Sequence, residues 1–456
     1  MKDVSVIILA AGKGVRMKSD LPKAAHRVCG KEMINHVVDN TKEMGASRII
    51  VVVGYKAEVV RSVLDKNIDT VYQERQLGTG HAVMQAVPLI PENSRQVLVL
   101  YGDTPLVRPE TLKELINCHR EGNYGLTVLT VEMDNPEGYG RIIRNNDGSI
   151  AGIVEHRDAS STQRKIREIN SGIYCFDREH LVEGIANLKR DNVQGEYYLT
   201  DIVEFLYSKG IIIGGCVIRD GQEVMGVNTK YQLSAVQKIM NKRNLVRLME
   251  DGAIIDDPDS TYIDSPVTIG ADTRVLPGTH IEGSTRIGEK NLIGPGVRIC
   301  DCSIGSQNEI EFSVIRDSDI GNRCKIGPFA HVRPGSNINN SVKIGNFVEV
   351  KNSDLDEGSK VSHLSYIGDG DVGRDVNIGC GVVFVNYDGR TKHRTVIEDE
   401  AFVGCNVNLV APVCIKKGAY VAAGSTITKD VGEYSLGIER GKQAEIKDWV
   451  RRKGLK

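Results

Sequence analysis

The chain has 456 residues and carries 58 Lys and Arg against 60 Asp and Glu, a formal net charge of -2. That length gives room for two or three domains with ample core, so folding needs no disulfide or metal staple. The near-zero charge carries no footprint of nucleic acid or of a membrane surface, and no run approaches the ~20 apolar residues that cross a bilayer.

In chain order, Val4 to Ala11 reads as a buried first strand and not as the apolar part of a signal peptide, because Asp3 flanks it and Gly12-Lys13-Gly14-Val15-Arg16 follows at once. Arg48 to Val53, Gln96 to Leu100 and Thr127 to Val131 read as further buried strands. Met33 to Met44, Ala57 to Leu64, Ala82 to Val87 and Glu110 to Arg120 read as the helices between them. Alternation of this kind implies a largely parallel α/β sheet with ligands at the carboxyl ends of its strands.

The loop from Leu9 to Met17, with Pro22-Lys23 after it, follows the first strand and is a Gly-rich turn whose amides are able to face phosphates. A dinucleotide fingerprint needs a third Gly where Met17 stands, and a P-loop needs Lys directly after its closing Gly, so both commoner phosphate motifs fail. A plain strand-to-helix turn needing two glycines is the other reading. Thr229 to Glu250 reads as a connecting helix, giving domains at 1–228 and 251–456 with a linker at 229–250.

From Ile263 the apolar residues recur every six positions. Ile263, Ile269, Val275, Ile281, Ile287, Ile293 and Ile299 form one comb, Val314 to Val350 a second and Ile397 to Ile427 a third. Neither a helix nor an alternating strand predicts that spacing, and it is the hexapeptide signature of a parallel β-helix. Residues 263 to 427 imply roughly nine coils, about 4.8 Å apart. Abundant glycine, 48 residues, with only 5% aromatics suits thin walls and tight corners. The tail after Asp430 leaves the comb and reads as a cap over the last coil. Ten cysteines without a C-x-x-C pair read as free thiols in a reducing cytoplasm.

The comb is interrupted between Phe384 and Ile397, thirteen positions apart instead of six, where a polar and basic excursion runs from Asn386 to Arg394. Composition alone fits a surface loop equally well. Arg333 and Lys351 lie eighteen residues apart, one coil, so they stack on one edge as a phosphate clamp. His363 lies one coil further near Tyr366 and is suited to accept a proton near neutral pH.

The G-x-G-x-R-M and P-K pattern, with Gln73, Gln76-Leu77-Gly78-Thr79-Gly80, Tyr101-Gly102-Asp103 and Gly226-Val227-Asn228, resembles the signature of the sugar-nucleotide pyrophosphorylases. Combined with a β-helix of this length, the resemblance narrows to the bacterial family of bifunctional N-acetylglucosamine-1-phosphate uridylyltransferases and glucosamine-1-phosphate N-acetyltransferases. It implies a Rossmann-like domain followed by a left-handed β-helix in a cytoplasmic homotrimer that makes UDP-N-acetylglucosamine for cell-wall precursors. A monofunctional nucleotidyltransferase with a purely structural β-helix is the alternative.

In the first domain the resemblance implies that Leu9, Ala10, Ala11, Gly12, Lys23, Gln73, Gly78, Thr79, Tyr101 and Asp103 bind UTP. It places Gly140, Glu155, Asn170 and Asn228 on the sugar, with Asp103 and Asn228 holding Mg²⁺. Arg16 and Lys23 are suited to the phosphates as permanent cations, and Asp103 offers a hard carboxylate, although a helix-capping role fits it too. In the second domain His363 is the implied general base. Arg333, Lys351, Tyr366 and Lys392 are implied to hold the sugar phosphate, Asn377 and Asn386 the sugar, and a backbone N–H near Tyr387 the oxyanion. Acetyl-CoA is implied along Cys380, Cys405, Ala423 and Arg440. Two of these depart from the family pattern, which has Ala at 380 and Ser at 405, so any hydroxyl role at 405 passes to a weaker thiol donor.

Overall fold

A computed structural model describes residues 1–192 and 194–455. The chain divides into two compact units, Met1–Met240 and Asn241–Lys456, and the division falls inside the long helix Lys230–Glu250.

The first unit is built on a sheet whose central strand, Val4–Ala10, is buried along its whole length. It pairs in parallel with Arg48–Val53 on one side and Gln96–Tyr101 on the other. Strands buried on both faces need cover on both, and two separate apolar clusters supply it, one around Ile8, Ile34 and Leu112 and one around Ile7, Val83 and Leu199. Helix Met33–Met44 has the bounds its apolar spacing predicts and ends on Gly45 in the left-handed region. The sheet is less uniform than expected. Glu168–Asp177 runs antiparallel between Gln96–Tyr101 and Leu126–Glu132, and a hairpin of Arg141–Arg144 with Ile150–Val154 hangs from it. Glu168–Asp177 is buried on both faces, so its sequence carries no alternation to mark it as a strand.

The second unit is a parallel β-helix whose strands form three sheets of 11, 10 and 9 members. The first face begins at Ile254–Ile255, the second at Tyr262–Ile263 and the third at Thr268–Ile269. Each short strand pairs in parallel with its counterpart one coil on, as Ile263 with Ile281 and Ile269 with Ile287. The inward residues fuse into one apolar column from Leu245 to Val431. Most are Ile or Val, whose stiff branched side chains stack well in such a column.

Two expectations need correction. The inward residue of the fourth rung on the second face is Ile315, fully buried and paired with Ile299, while Val314 turns outward. The step into it from Ile310 is one residue short, as are steps such as Ile299 to Ile304 and Val350 to Leu355. Shortening occurs mostly at the corner between the second and third faces. The long step of thirteen residues, instead of six, from Phe384 to Ile397, both buried, occupies the same corner. The coil count survives because short corners and long insertion nearly cancel.

Only the start of the tail covers the last coil. Leu436–Gly437 continues the first face by pairing with Tyr420–Val421, but Ile438, Ile446, Trp449 and Val450 remain exposed. It is Val431, bridging to Ile415, that covers the column's end. All ten cysteines are free thiols. Among the described residues no helix is long and apolar enough to cross a membrane.

Candidate functional site

In the first unit the residues named from sequence converge on a cleft of about 280 Å³. Leu9, Ala10, Ala11, Gly12, Lys23, Gln73, Gly78, Thr79, Tyr101 and Asp103 all line it. They come from the carboxyl ends of neighbouring strands, where a doubly wound sheet leaves its crevice. Two glycines make this packing possible. Gly14 has φ +61°, and a Cβ there would stand 2.9 Å from the Lys23 Cβ. Gly78 has φ +110°, and a Cβ would meet the Tyr197 carbonyl oxygen at 2.5 Å. The segment around Tyr197 clasps this turn: Tyr197 N–H donates to the Leu77 carbonyl, Gly80 N–H donates to the Tyr197 carbonyl, and Leu199 N–H donates to the Thr79 hydroxyl.

Lys23 is the electrostatic centre of the cleft. Its ammonium pairs with the buried Asp103 carboxylate and donates to Asn228 Oδ1 at 3.1 Å. Arg16 Nη2 donates to the same Asn228 oxygen at 2.9 Å. Asp103 and Asn228 therefore present two hard oxygens that converge on one cation position, and the Asp103 carbonyl accepts from Val227 N–H to fix their spacing. This donor set fits a small divalent ion that keeps substrate oxygens and water as its other ligands.

A second cavity, about 520 Å³ in size, shares Thr79, Tyr101 and Glu196 with the first. It brings together Arg16, Glu155 and Asn170. Gly140 sits beside them: its carbonyl accepts from Asn170 N–H, and a Cβ would lie 3.6 Å from Glu155 Oε1. Asn170 is oriented by its donation to the Tyr174 hydroxyl at 2.8 Å. Burial, with Asp158 and Asp201 nearby, raises the Glu155 carboxyl above its ordinary value. Burial likewise raises the Tyr101 phenol, helped by Glu155 and Asp103, so it remains a neutral donor. Glu196, which lines both cavities, was missed from sequence. It lies more than a hundred residues from the turn it faces, and no periodicity marks it.

In the second unit the register builds two edges of one face. Asn346 pairs with His363 across one coil. The same backbone pattern then repeats: Gly381 N–H donates to the His363 carbonyl, Asn406 N–H to that of Cys380 and Gly424 N–H to that of Cys405. Asn346, His363, Cys380, Cys405 and Ala423 thus form one row along the corner between the first and second faces. Arg440 Nη1 extends it by donating to the Ala423 carbonyl at 3.0 Å. His363 Nδ1 lies 2.7 Å from Asn346 Oδ1. An amide oxygen only accepts, so Nδ1 carries the proton and Nε2 keeps its lone pair.

The opposite edge holds a pocket of about 510 Å³ lined by Pro334, Lys351, Asn352, Asp369, Lys392, His393 and Arg394. The Lys351 ammonium depresses the basicity of Lys392 beside it. Asn386 donates to Asp369 and, at 3.4 Å, to the Tyr366 hydroxyl. The insertion is folded around Asp388, which accepts from Arg390 and Thr391 N–H and faces His393 Nε2 at 2.8 Å. Tyr387 bridges to Lys392 across it.

The clamp expected of Arg333 and Lys351 is not built as expected. Their strands stack in register, but Arg333 Nη1 is engaged by Glu349 Oε1 at 2.7 Å, and the second cation beside Lys351 is Lys392. Asn377 lies on the first face, paired with Lys360 and Phe402, away from this pocket. Asn346 and Asp369 were missed. The seventeen-residue step back from His363, and the Gly368-Asp369-Gly370 sequence directly after an inward Ile367, are the signals that mark them.

Residues 6–168 match the MobA-like NTP transferase domain, and residues 266–301 and 317–352 match the bacterial transferase hexapeptide repeat. The chain is 51% identical over 450 residues to the bifunctional protein GlmU of Geobacillus sp. (strain WCH70), covering 99% of this chain and 98% of that one. It is 50% identical to the protein of that name from Acetivibrio thermocellus over 100% of this chain and 99% of the relative. With that from Clostridioides difficile (strain 630) it shares 49% over 99% and 98%. The chain belongs to the GlmU family of bifunctional proteins. Identity that spans both units assigns the GlmU family to the whole chain and not to the nucleotidyltransferase half alone. The transferase match falls on the unit that carries the Lys23 cleft, and the hexapeptide matches fall on the unit that carries His363.

Proposed function

We propose that the chain makes UDP-N-acetylglucosamine by two reactions at two separate sites. In the second unit an acetyl group passes from acetyl-CoA to the amine of glucosamine-1-phosphate. In the first, N-acetylglucosamine-1-phosphate attacks the α-phosphate of UTP in line and expels pyrophosphate. The observation that carries this reading is the face bounded by His363 on one edge and by Lys351 with Lys392 on the other. A proton acceptor and an anion anchor on one wall are what acyl transfer to a phosphorylated amine requires. A purely structural β-helix leaves both unexplained.

For uridylyl transfer, Arg16 and Lys23 orient and neutralise the phosphates. Asp103 and Asn228 would hold Mg²⁺, which neutralises charge on phosphoryl oxygens when bound. Leu9 to Gly12, Gln73, Gly78 and Thr79 would wall in the nucleotide, and Gly140, Glu155 and Asn170 the sugar. For acetyl transfer, His363 Nε2 takes the amine proton, a role worth roughly 10²- to 10⁴-fold. Lys351, Lys392, Tyr366 and Asn386 anchor the sugar phosphate, joined by Arg333 once it exchanges Glu349 for the substrate. The row Cys380, Cys405 and Ala423, with Arg440, continues from His363 and supplies the track for acetyl-CoA.

The reading extends to functional domains at 1–228 and 251–456 joined by residues 229–250, to a cytoplasmic homotrimer with Asn377 serving the second site, and to cell-wall precursor supply. The test supplies glucosamine-1-phosphate, acetyl-CoA, UTP and Mg²⁺ and follows free thiol and pyrophosphate separately. Both products are expected. Pyrophosphate formed from N-acetylglucosamine-1-phosphate without thiol release from the other pair would leave only the monofunctional alternative.

A further inference from the structure

Asp369 stands at the corner between the second and third faces with its side chain 7% exposed. Its backbone ties two levels together: its N–H donates to the Lys351 carbonyl one coil before, and its carbonyl accepts from Thr395 N–H where the insertion rejoins the wall. One carboxylate oxygen accepts from Asn352 Nδ2 at 2.6 Å. The other accepts from Asn386 Nδ2 and faces the Lys351 ammonium at 3.8 Å. Lys392 and Arg394 line the same pocket.

We infer that Asp369 is the positioning residue of the sugar-phosphate pocket, its buried carboxylate holding Lys351, Lys392 and Asn386 in one anion-receiving group. This rests on the acetyl-transfer reading of that pocket. Two ammonium groups side by side repel, and a fixed carboxylate beneath them offsets that repulsion without filling the space a phosphate needs. Burial works to raise the Asp369 carboxyl, but the Asn352 and Asn386 donors and the two lysines prevail and hold it below its ordinary value, so it stays ionised. Lys392 is pushed down by Lys351 and pushed back up by Asp369 and Tyr366. Arg394, which also feels the Asp369 charge, is held by Asp371 and Asp354 on the third face, and His393 by Asp388 within the insertion. Asp369 is therefore the carboxylate in this pocket that serves the lysines.

Both Asp369 oxygens face donors, so an amide at 369 would turn its NH2 toward either Asn352 on one side or Asn386 and Lys351 on the other. The test is steady-state thiol release by the full chain with varied glucosamine-1-phosphate, for wild type, D369N and the pair N352D/D369N. The pair reverses the hydrogen bond to residue 352 and keeps one carboxylate in place. D369N is expected to raise KM for glucosamine-1-phosphate by about tenfold or more, with kcat within about threefold and KM for acetyl-CoA unchanged. The alkaline limb of kcat/KM should move to lower pH, because loss of the carboxylate lets Lys392 deprotonate earlier. A merely structural role would not move that limb. The double variant should recover most of the KM.

An unchanged or lowered KM in D369N with an unmoved alkaline limb would overturn the inference. So would failure of N352D/D369N to recover while its melting temperature matches wild type. If wild type itself releases no thiol, the acetyl-transfer reading fails instead. Pyrophosphate release from N-acetylglucosamine-1-phosphate should be the same in all three proteins.

Discussion

Arg16 and Asn228 are joined by a 2.9 Å hydrogen bond across 212 residues of sequence. The loop after the first strand and the last turn before the long helix thus close one phosphate-facing corner. Because Lys23 reaches the same Asn228 oxygen, removing that oxygen should disorder two cations together. Asn228→Ala is expected to lower kcat/KM for pyrophosphate release by roughly 10²-fold. Asp103→Ala should abolish it, leaving thiol release intact. Chelation of the divalent ion should act as Asp103→Ala does: pyrophosphate release stops and acetyl transfer continues.

His363→Ala should lower thiol release by roughly 10²- to 10⁴-fold at neutral pH while pyrophosphate release stays at the wild-type rate. The two products followed in one sample check this directly. Equal loss of both would mean that the two units do not work independently.

Much of this was legible because β-helix geometry converts spacing into position. The eighteen-residue step between Arg333 and Lys351 places their backbones on one edge without any knowledge of the fold's other half. What the spacing conceals is where a corner loses a residue. Val314 and Ile315 are both β-branched and adjacent, so only the pairing of Ile315 with Ile299 decides which turns inward. Arg333 illustrates the other limit: register fixes where its backbone lies, but its guanidinium follows the nearest carboxylate, Glu349. In the first unit the motifs were local turns with fixed chemistry. Glu196 and Tyr197 reach the cleft only through tertiary packing.

His36 is buried and its Nε2 bonds the Val28 carbonyl at 2.8 Å. Burial lowers its pKa to about 4 from an ordinary 6.5. The unfolded chain therefore binds the extra proton between pH 6.5 and 4 and the folded one does not, so stability falls as pH drops through that window and is unaffected above it. The loss is at most about 3 kcal/mol. Urea unfolding of the full chain at pH 7 and pH 5 should show the first unit weakening on acidification, and His36→Gln should flatten that difference.

Phe384 is fully buried beneath the insertion, and the Gly370 backbone approaches its ring so closely that a Cβ there would stand 2.5 Å away. Phe384→Ala removes the largest inward side chain of the column at the point where the insertion leaves the wall. The expected cost is roughly 3–5 kcal/mol to the second unit. Calorimetry should show that transition lowered and the other unchanged, with thiol release lost before pyrophosphate release on heating.

Asn346 offers a sharper test of the imidazole. Its Oδ1 fixes the proton on His363 Nδ1 at 2.7 Å, which makes Nε2 the base. Asn346→Leu should lower kcat for acetyl transfer by about tenfold, since the ring then samples the wrong tautomer. Asn346→Asp makes the opposite change in charge: a carboxylate at that distance favours the imidazolium and raises the His363 pKa. The acid limb of the pH–rate profile should then move to higher pH, while the alkaline limb expected from Lys392 on the other edge of the face should stay where it is.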